Sequence, residues 1–590
     1  MTVSALYADP KLAAYRRGKT PLPAKHWLWP LYGAGLENLG VDDQPILVDT
    51  PSCGPDELLV RHDAVGLCFS DTKIIQAGPN HPRLTGRDMV ANPVVMGHEV
   101  ALTVLQVGEK WQGQYQPGDR FIIQADIYYQ GVGLAYGYAL QGGLSQFNVL
   151  GKEVLEGDDG CYLIPIREET GYAQAALTEP WACVTASYEV TYRAGWKPEG
   201  TVLLAAGPGC RGDYTLSTPY ASGQPPTRVV TMGVTGALLE MLRQRAAADG
   251  YELVALDAPG EASLAAARAA GGEKGYDDIV LLGADEALYE MLEPLAAKGC
   301  VLNLVGAQAL SGTAQVDVGR LHYDGLYLTG TEEADIAAAY VPIRTELLTG
   351  GNAAFIGAAG PMGQMHVQRA LQSAEGPKLL VATDLVPERL AVLRTKFASL
   401  IAAKGGVCEL QLRTPGDLSP AEFNASLVEA AGGKGFDDIV VLAPSARVVS
   451  GAVEMLAPGG VMNIFAGLTR GTKAAIDLRA VVTKGVRFTG TSGSAISDLR
   501  SMLSQAESGR LDPNLSVAAI SGMRDVKKGL EGMMHQAFPG KVVIYPQILD
   551  FPLTTLPDLK KVLPEVYAKL GPNESWTVEA EAEFLKEMLP

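Results

Sequence analysis

No uncharged apolar stretch in the 590 residues reaches about 18 residues, the length a helix needs to cross a bilayer, so a helical membrane protein is not expected. Basic blocks are also missing. The 48 Lys and Arg face 66 Asp and Glu, for a net charge of −18, which makes nucleic acid and anionic membrane surfaces poor partners. The seven cysteines (Cys53, Cys68, Cys161, Cys183, Cys210, Cys300 and Cys408) stand singly without a CxxC, so a reducing compartment is expected and structural disulfides are not. Met1 to Lys25 carry Asp9, Lys11, Arg16 and Arg17 and no apolar core, and the expectation is a soluble, cytoplasmic protein.

What is abundant is glycine, with 67 residues in a chain that is otherwise globular in composition, 47% hydrophobic and 19% charged. The length corresponds to about four folding units. Two stretches resemble each other: Lys274-Gly-Tyr-Asp-Asp-Ile-Val-Leu-Leu282 and Lys434-Gly-Phe-Asp-Asp-Ile-Val-Val-Leu442, set 160 residues apart. The same register relates Val301–Leu304 to Val461–Ile464 and Leu328–Thr331 to Phe488–Thr491. A duplicated domain is expected rather than a solenoid of short repeats.

Each copy alternates short apolar runs with helix-like stretches, the βαβ pattern of a parallel sheet covered on both faces. In the second copy the expected strands are Ala353–Ile356, Leu379–Thr383, Ile439–Ala443 and Val461–Phe465. A helix is expected from Pro387, where Leu390, Leu393, Phe397, Leu400 and Ile401 recur at helical spacing. Before about Thr201 the chain reads as a mostly β domain, with runs at Glu57–Arg61, Val100–Val107 and Arg120–Gln124. Gly540–Tyr545 is one more strand, expected to return to that first domain, ahead of a helical acidic tail.

Gly357-Ala-Ala-Gly360-Pro361-Met362-Gly363 follows a strand and opens the amphipathic stretch Gln364–Gln372. Such glycines permit a tight turn and close backbone approach, so that a pyrophosphate can sit on the helix N-terminus. Asp384, about 20 residues on, would bind ribose hydroxyls and repel a 2′-phosphate, favouring NAD over NADP. Ala443, Ala466 and Gly467, at the ends of later strands, complete the expected cofactor-binding set. The first copy has Leu204-Ala-Ala-Gly207-Pro-Gly-Cys210 at the corresponding turn and no acid after its second strand. It is expected to have lost ordinary dinucleotide binding.

Three polar clusters remain: Cys68-Phe-Ser-Asp71, Gly97-His-Glu99 and Thr178-Glu-Pro180. Together they supply sulfur, nitrogen and oxygen ligands suited to zinc. Their order and spacing resemble the zinc-dependent medium-chain dehydrogenases. The segments that carry the resemblance are Gly66-Leu-Cys68-Phe-Ser70-Asp71, Gly97-His98-Glu99, Glu179-Pro180, the Gly357–Gly363 domain and Gly540-Lys541. Finer likenesses to the L-sorbose 1-phosphate reductases are Gln116–Gln124, Tyr136-Gly-Tyr138 leading to Gly142-Gly143, Asn463–Gly467, Gly490–Gly493 and the region from Glu574 to Leu589.

The resemblance implies an α/β chain with an added β-rich part: a GroES-like catalytic domain and two tandem Rossmann-type, doubly wound parallel sheets. Residues 1–200 would form the N-terminal part of the catalytic domain and 201–349 a degenerate Rossmann-like domain. Residues 350–516 would bind NAD, and 517–590 would return to the catalytic domain and end in a helical tail. It implies one catalytic zinc held by Cys68, His98 and Glu179, with Glu99 as a neighbouring group or exchanging fourth ligand, and no structural zinc, because no cysteine lies between His98 and Cys161. Ser70 would relay the alcohol proton, Lys73 would carry it further and Asp71 would orient a ligand.

The implied substrate is a polyol or ketose, or its phosphate, and Arg83 and Arg87 are the candidates to meet a phosphate. Relatives often dimerise through the edges of their nucleotide sheets, so the extra copy could stand in for a partner subunit, and a homo-oligomer is the other arrangement. Two rival readings are a zinc-free quinone or enoyl reductase, which has no use for the ligand set, and a non-catalytic nucleotide-sensing scaffold.

Overall fold

The computed structural model describes residues 9–84, 86–217 and 219–590. Its first sheet is built around the strand Leu58–Gly66, buried along its whole length. Three of its residues, Arg61, His62 and Asp63, are polar, and burial requires that they be paired. Arg61 Nε lies 2.7 Å from Asp63, Thr103 donates to the same carboxylate at 2.5 Å, and His62 Nδ1 lies 2.8 Å from the Ser145 carbonyl.

The order in this sheet is Leu163–Pro165, Arg120–Ile123, Glu99–Val107, Leu58–Gly66, Lys541–Tyr545, Val517–Gly522 and Thr554–Thr555, with Phe147–Leu150 also on Leu58–Gly66. Lys541–Tyr545 pairs antiparallel with Leu58–Gly66 through Val543 and Gly66. The two nucleotide-type segments are therefore inserted between strands of one β sheet. The tail is tied back as well: Thr577 caps the helix Val578–Met588, and Glu581 accepts from the backbone N–H groups of Tyr172 and Ala173.

The second sheet has twelve strands. Its first half runs Glu252–Leu256, Arg228–Met232, Thr201–Ala206, Tyr276–Leu282, Ala296–Val305 and Tyr327–Thr331. The second half continues from the seam with Arg487–Thr489, Leu456–Ile464, Phe436–Val441, Asn352–Ile356, Leu379–Thr383 and Glu409–Arg413. Numbered within its own segment, each half has the order 3-2-1-4-5-6 of a doubly wound dinucleotide fold. All pairs within the halves are parallel except that the seam, Leu328 on Phe488, is antiparallel. A second antiparallel pair, Ala314–Asp317 on Lys473–Ile476, also crosses between the halves. One apolar core is continuous across the seam, joining Val316, Leu321 and Leu328 to Ile476, Val481 and Phe488.

Local details depart from the sequence-based expectation. Phe436–Val441 and Leu456–Ile464 start before the expected strands, with a register shift between Phe436 and Asp438. The buried Asp438 there is paired with Arg344. The expected helix from Pro387 is two helices, Pro387–Lys396 and Ala398–Ala403, broken at Phe397 (φ −103°). Among the described residues no helix is long and apolar enough to cross a membrane.

Candidate active site

Cys68 ends the connection from the central strand Leu58–Gly66 and precedes the helix Phe69–Ala77. Asp71, in the first turn of that helix, accepts from the Cys68 N–H at 2.9 Å, so the thiol is fixed by its own helix cap. His98 and Glu99 lie at the start of the neighbouring strand Glu99–Val107, whose register sets Glu99 opposite Gly66. A side chain at position 66 would collide with the Glu99 carboxylate.

The ligating atoms of Cys68, His98 and Glu99 lie within 4.8 Å of one another. Glu179 is buried in the adjacent helix Thr178–Ala186 but stands outside this tight group. Its charge is coupled to the group: burial raises the Glu179 carboxyl to about 7, His98 and Lys541 pull it down, and Glu99 pushes it up. Glu99, expected as a neighbouring group or fourth ligand, lies with Cys68 and His98.

Donor chemistry at this cluster fits a zinc ion. Glu99 Oε2 is buried without a hydrogen-bond partner. His98 Nδ1 faces Asp71 Oδ1 at 3.3 Å, which leaves Nε2 as the nitrogen available to a metal. Burial works against an imidazolium here, yet the Cys68 and Asp71 charges outweigh it and hold His98 well above its usual range. The other Glu99 oxygen is gripped by the Lys541 ammonium, from the returning C-terminal strand. Burial would lower that ammonium, and Glu99 overcomes it, pushing Lys541 up to about 12.

The candidate cofactor side is assembled from the carboxyl ends of four adjacent strands, where ligands bind in open α/β sheets. Gly357 (φ +86°) turns the chain after Asn352–Ile356. Gly360 caps the helix Pro361–Gln372, with Pro361 at its first position and Met362 partly buried behind it. A Cβ on Gly363 would come within 2.6 Å of Ala358, so only glycine allows the helix to start this close to the turn. Asp384, after Leu379–Thr383, accepts from the Ala359 N–H at 3.1 Å, and Ala443 backs Gly357. Ala466 and Gly467 follow Leu456–Ile464, and the Ala466 N–H donates to Val441. Cofactor turn and zinc-type cluster belong to different sheets.

In the first half the corresponding turn is bonded to the end of the neighbouring strand Tyr276–Leu282. The Gly209 N–H donates to the Gly283 carbonyl at 2.8 Å. No helix lies between the strands Thr201–Ala206 and Arg228–Met232 among the described residues. The helix N-terminus that would meet a pyrophosphate is missing there.

Ser70 and Lys73 lie one turn apart on the helix Phe69–Ala77, and Lys73 Nζ reaches Tyr323 Oη at 3.5 Å. Arg83 is brought to the site, paired with Asp126 at 2.5 Å and set 5.2 Å over the Tyr138 ring, which lies 5.7 Å from the His98 ring. Arg87 is not: its guanidinium donates to the carbonyls of Asn92, Pro93, Tyr138 and Ala139 and holds a loop. Lys541, Asp126 and Arg389 were absent from the sequence-based site. Arg389 lies 3.9 Å from where a Gly360 Cβ would stand. The Gly-Lys pair at 540–541 was the one available signal among them.

Residues 54–161 match the alcohol dehydrogenase GroES-like domain. The chain is 28% identical to L-sorbose 1-phosphate reductase of Klebsiella pneumoniae over 297 residues, covering 48% of this chain and 70% of that protein. It is 27% identical to mannitol-1-phosphate 5-dehydrogenase of Aliivibrio fischeri over 304 residues, 48% of this chain and 70% of that protein. The fold is shared with 2R,3R-butanediol dehydrogenase from Bacillus subtilis, at a TM-score of 0.51 and 16% identity over 88% of this chain and 99% of that one. The chain is similar to medium-chain alcohol and polyol dehydrogenases.

Proposed function

We propose that the protein is a zinc-dependent, NAD(H)-linked dehydrogenase that interconverts a secondary alcohol and a ketone on a polyol or sugar, including sugar phosphates. The observation that carries this reading is the cluster of half-buried Cys68 with buried His98 and Glu99, whose ligating atoms lie within 4.8 Å. A zinc-free reductase would have no use for it. The relatives named for sugar phosphates add support for the substrate class.

Cys68, His98 and Glu179 hold the metal in this account, with Glu99 available as a further ligand. A zinc ion in that cluster supplies Lewis acidity, which makes an alcohol proton easier to remove at neutral pH. Nicotinamide bound over the rim of the second nucleotide sheet supplies the hydride acceptor or donor. Ser70, on the helix that Cys68 begins, takes the alcohol proton as it releases its own, and Lys73 one turn away accepts that proton while giving one of its own to solvent. Asp71 orients the His98 ring, and Lys541 holds the Glu99 carboxylate in place. Asp384 binds the adenosine ribose and selects NAD over NADP.

The first nucleotide-type copy takes the place of a partner subunit's sheet, a reading supported by the antiparallel seam at Leu328 and Phe488. The protein works in the cytoplasm. Zinc analysis of the purified protein, followed by a panel of polyols, ketoses and their phosphates with NAD(H) and NADP(H), tests the proposal. It requires about one zinc per chain and NAD-dependent turnover of at least one polyol; a metal-free protein with no turnover on the panel refutes it.

A further inference from the structure

The first nucleotide-type copy reaches the cofactor rim of the second. Its short helix Val318–Tyr323 is pressed onto that rim at three glycines. A Cβ on Gly319 would overlap the Thr469 carbonyl, and one on Gly490 would stand 2.6 Å from the Leu321 carbonyl and 2.9 Å from His322 Cα. At Gly467 the Cβ position lies 3.0 Å from Tyr323 Oη, 3.1 Å from Lys73 Nζ and 3.9 Å from His322 Nε2. Three polar groups from two segments far apart in the chain therefore converge where the strand Leu456–Ile464 ends, at the carboxyl edge that carries the Gly357–Gly363 turn.

The counterpart contact on the other side of the seam is different. By the 160-residue register, the positions matching His322, Tyr323 and Gly467 are Val482, Thr483 and Ala307. Val482 packs there against Gly330, the counterpart of Gly490. Packing alone is thus satisfied by an aliphatic residue at that contact. The polar pair occurs on the side whose glycine turn opens a helix, Pro361–Gln372, and the aliphatic one on the side where no helix follows the turn among the described residues.

We propose that His322 and Tyr323, with Lys73, form a subsite that recognises hydroxyl groups of a polyhydroxylated substrate chain lying across Gly467. The idea rests on the dehydrogenase reading above and assigns the first copy a binding role within it. His322 Nδ1 lies 3.1 Å from the Ile464 carbonyl and donates to it, so Nε2 presents a lone pair. Burial, helped by Lys73 and Arg470, lowers its pKa to about 4, so the ring is a neutral acceptor at working pH. A neutral lone pair suits a hydroxyl donor and repels a phosphate dianion. Lys73 Nζ and Tyr323 Oη supply donors to the hydroxyl oxygens. Arg470 steadies Tyr323, lying 5.0 Å over its ring while paired with Asp324.

The test exchanges the pair for the residues of the opposite side, His322→Val with Tyr323→Thr, alongside Tyr323→Phe, which removes one hydroxyl. The zinc-loaded enzyme is assayed with the best polyol from the panel and with 2-butanol, which has a single hydroxyl. The subsite requires the polyol to 2-butanol ratio of kcat/KM to fall about tenfold or more in the double variant, carried by KM, as expected from losing two substrate hydrogen bonds. A ratio within about twofold of the wild type overturns it. Should the wild type turn over no polyol, the dehydrogenase reading fails by itself, and calorimetric titration of sorbitol then decides the subsite: weaker binding in the folded double variant supports it, and equal binding or none in the wild type overturns it.

Discussion

Leu328 and Phe488, 160 residues apart and corresponding in the sequence register, pair with each other across the centre of the twelve-stranded sheet. Corresponding residues can face one another in an antiparallel pair only at a local two-fold axis. Gln315 and Ala475, also 160 residues apart, pair in the same way. An isologous contact between two subunits has this form, and here it lies within one chain. The edges that two such sheets would otherwise present to a second molecule are already paired. Sedimentation is expected to give a monomer of 62.3 kDa; a stable dimer would remove the reason for regarding the first copy as a substitute partner.

The seam is also a source of stability. Phe488 is fully buried in the core shared by the two halves, so Phe488→Ala is expected to cost about 3–5 kcal/mol. Leu328 sits opposite, and the two substitutions should be non-additive because they empty one space. Denaturant unfolding of the two single variants and the double variant measures this.

Lys541 and Glu99 form an ion pair with side chains only 3% and 0% exposed. Lys541→Met leaves a buried carboxylate without its cation and is expected to cost about 3–5 kcal/mol in metal-free protein. Adding Glu99→Gln to that variant removes the stranded charge and should recover much of the loss. Equal stability of all three proteins in urea would contradict the pairing.

Acid should weaken the fold through histidines held neutral by burial. His26, His62 and His322 are lowered to about 4 and His366 to about 3, each primarily by burial. The unfolded chain binds these protons below about pH 6.5 while the folded protein does not, so stability is full above that pH and falls as pH drops toward 4. The slope is up to about 1.4 kcal/mol per pH unit for each group. The unfolding midpoint measured from pH 7.5 to 4.5 should decline steadily below pH 6.5; a flat profile would contradict it.

Arg83 and Asp384 carry the two specificity claims. Arg83→Ala should lower kcat/KM for a sugar phosphate by about tenfold more than for the free polyol, the loss of one charge-assisted contact. Asp384→Ser should shift the NADP to NAD preference upward by about tenfold or more, since the carboxylate that repels the 2′-phosphate is gone. Equal effects on phosphorylated and free substrates, or an unmoved cofactor ratio, would remove each assignment.

Motifs whose partners are close in sequence were the legible part. The glycine turn, its helix and Asp384 follow from adjacent residues, and Cys68 and His98 flank the ends of two paired strands, Leu58–Gly66 and Glu99–Val107. Residues that join the site across the chain left no local trace. Lys541 meets Glu99 only because the last strands return to the first sheet. Asp126 gains its role from Arg83, and Tyr323 from a helix that crosses between the halves. Arg87 misled because a guanidinium on a loop reads the same whether it faces a cleft or four carbonyls. The break at Phe397 was hidden since apolar spacing continues through it.

The most direct test of the central claim is the rate of polyol-dependent NAD reduction by zinc-loaded protein, compared with the same protein after chelation and zinc return. The account predicts turnover that disappears with the metal, returns with zinc and is absent in Cys68→Ser. Turnover that survives both chelation and Cys68→Ser would contradict it.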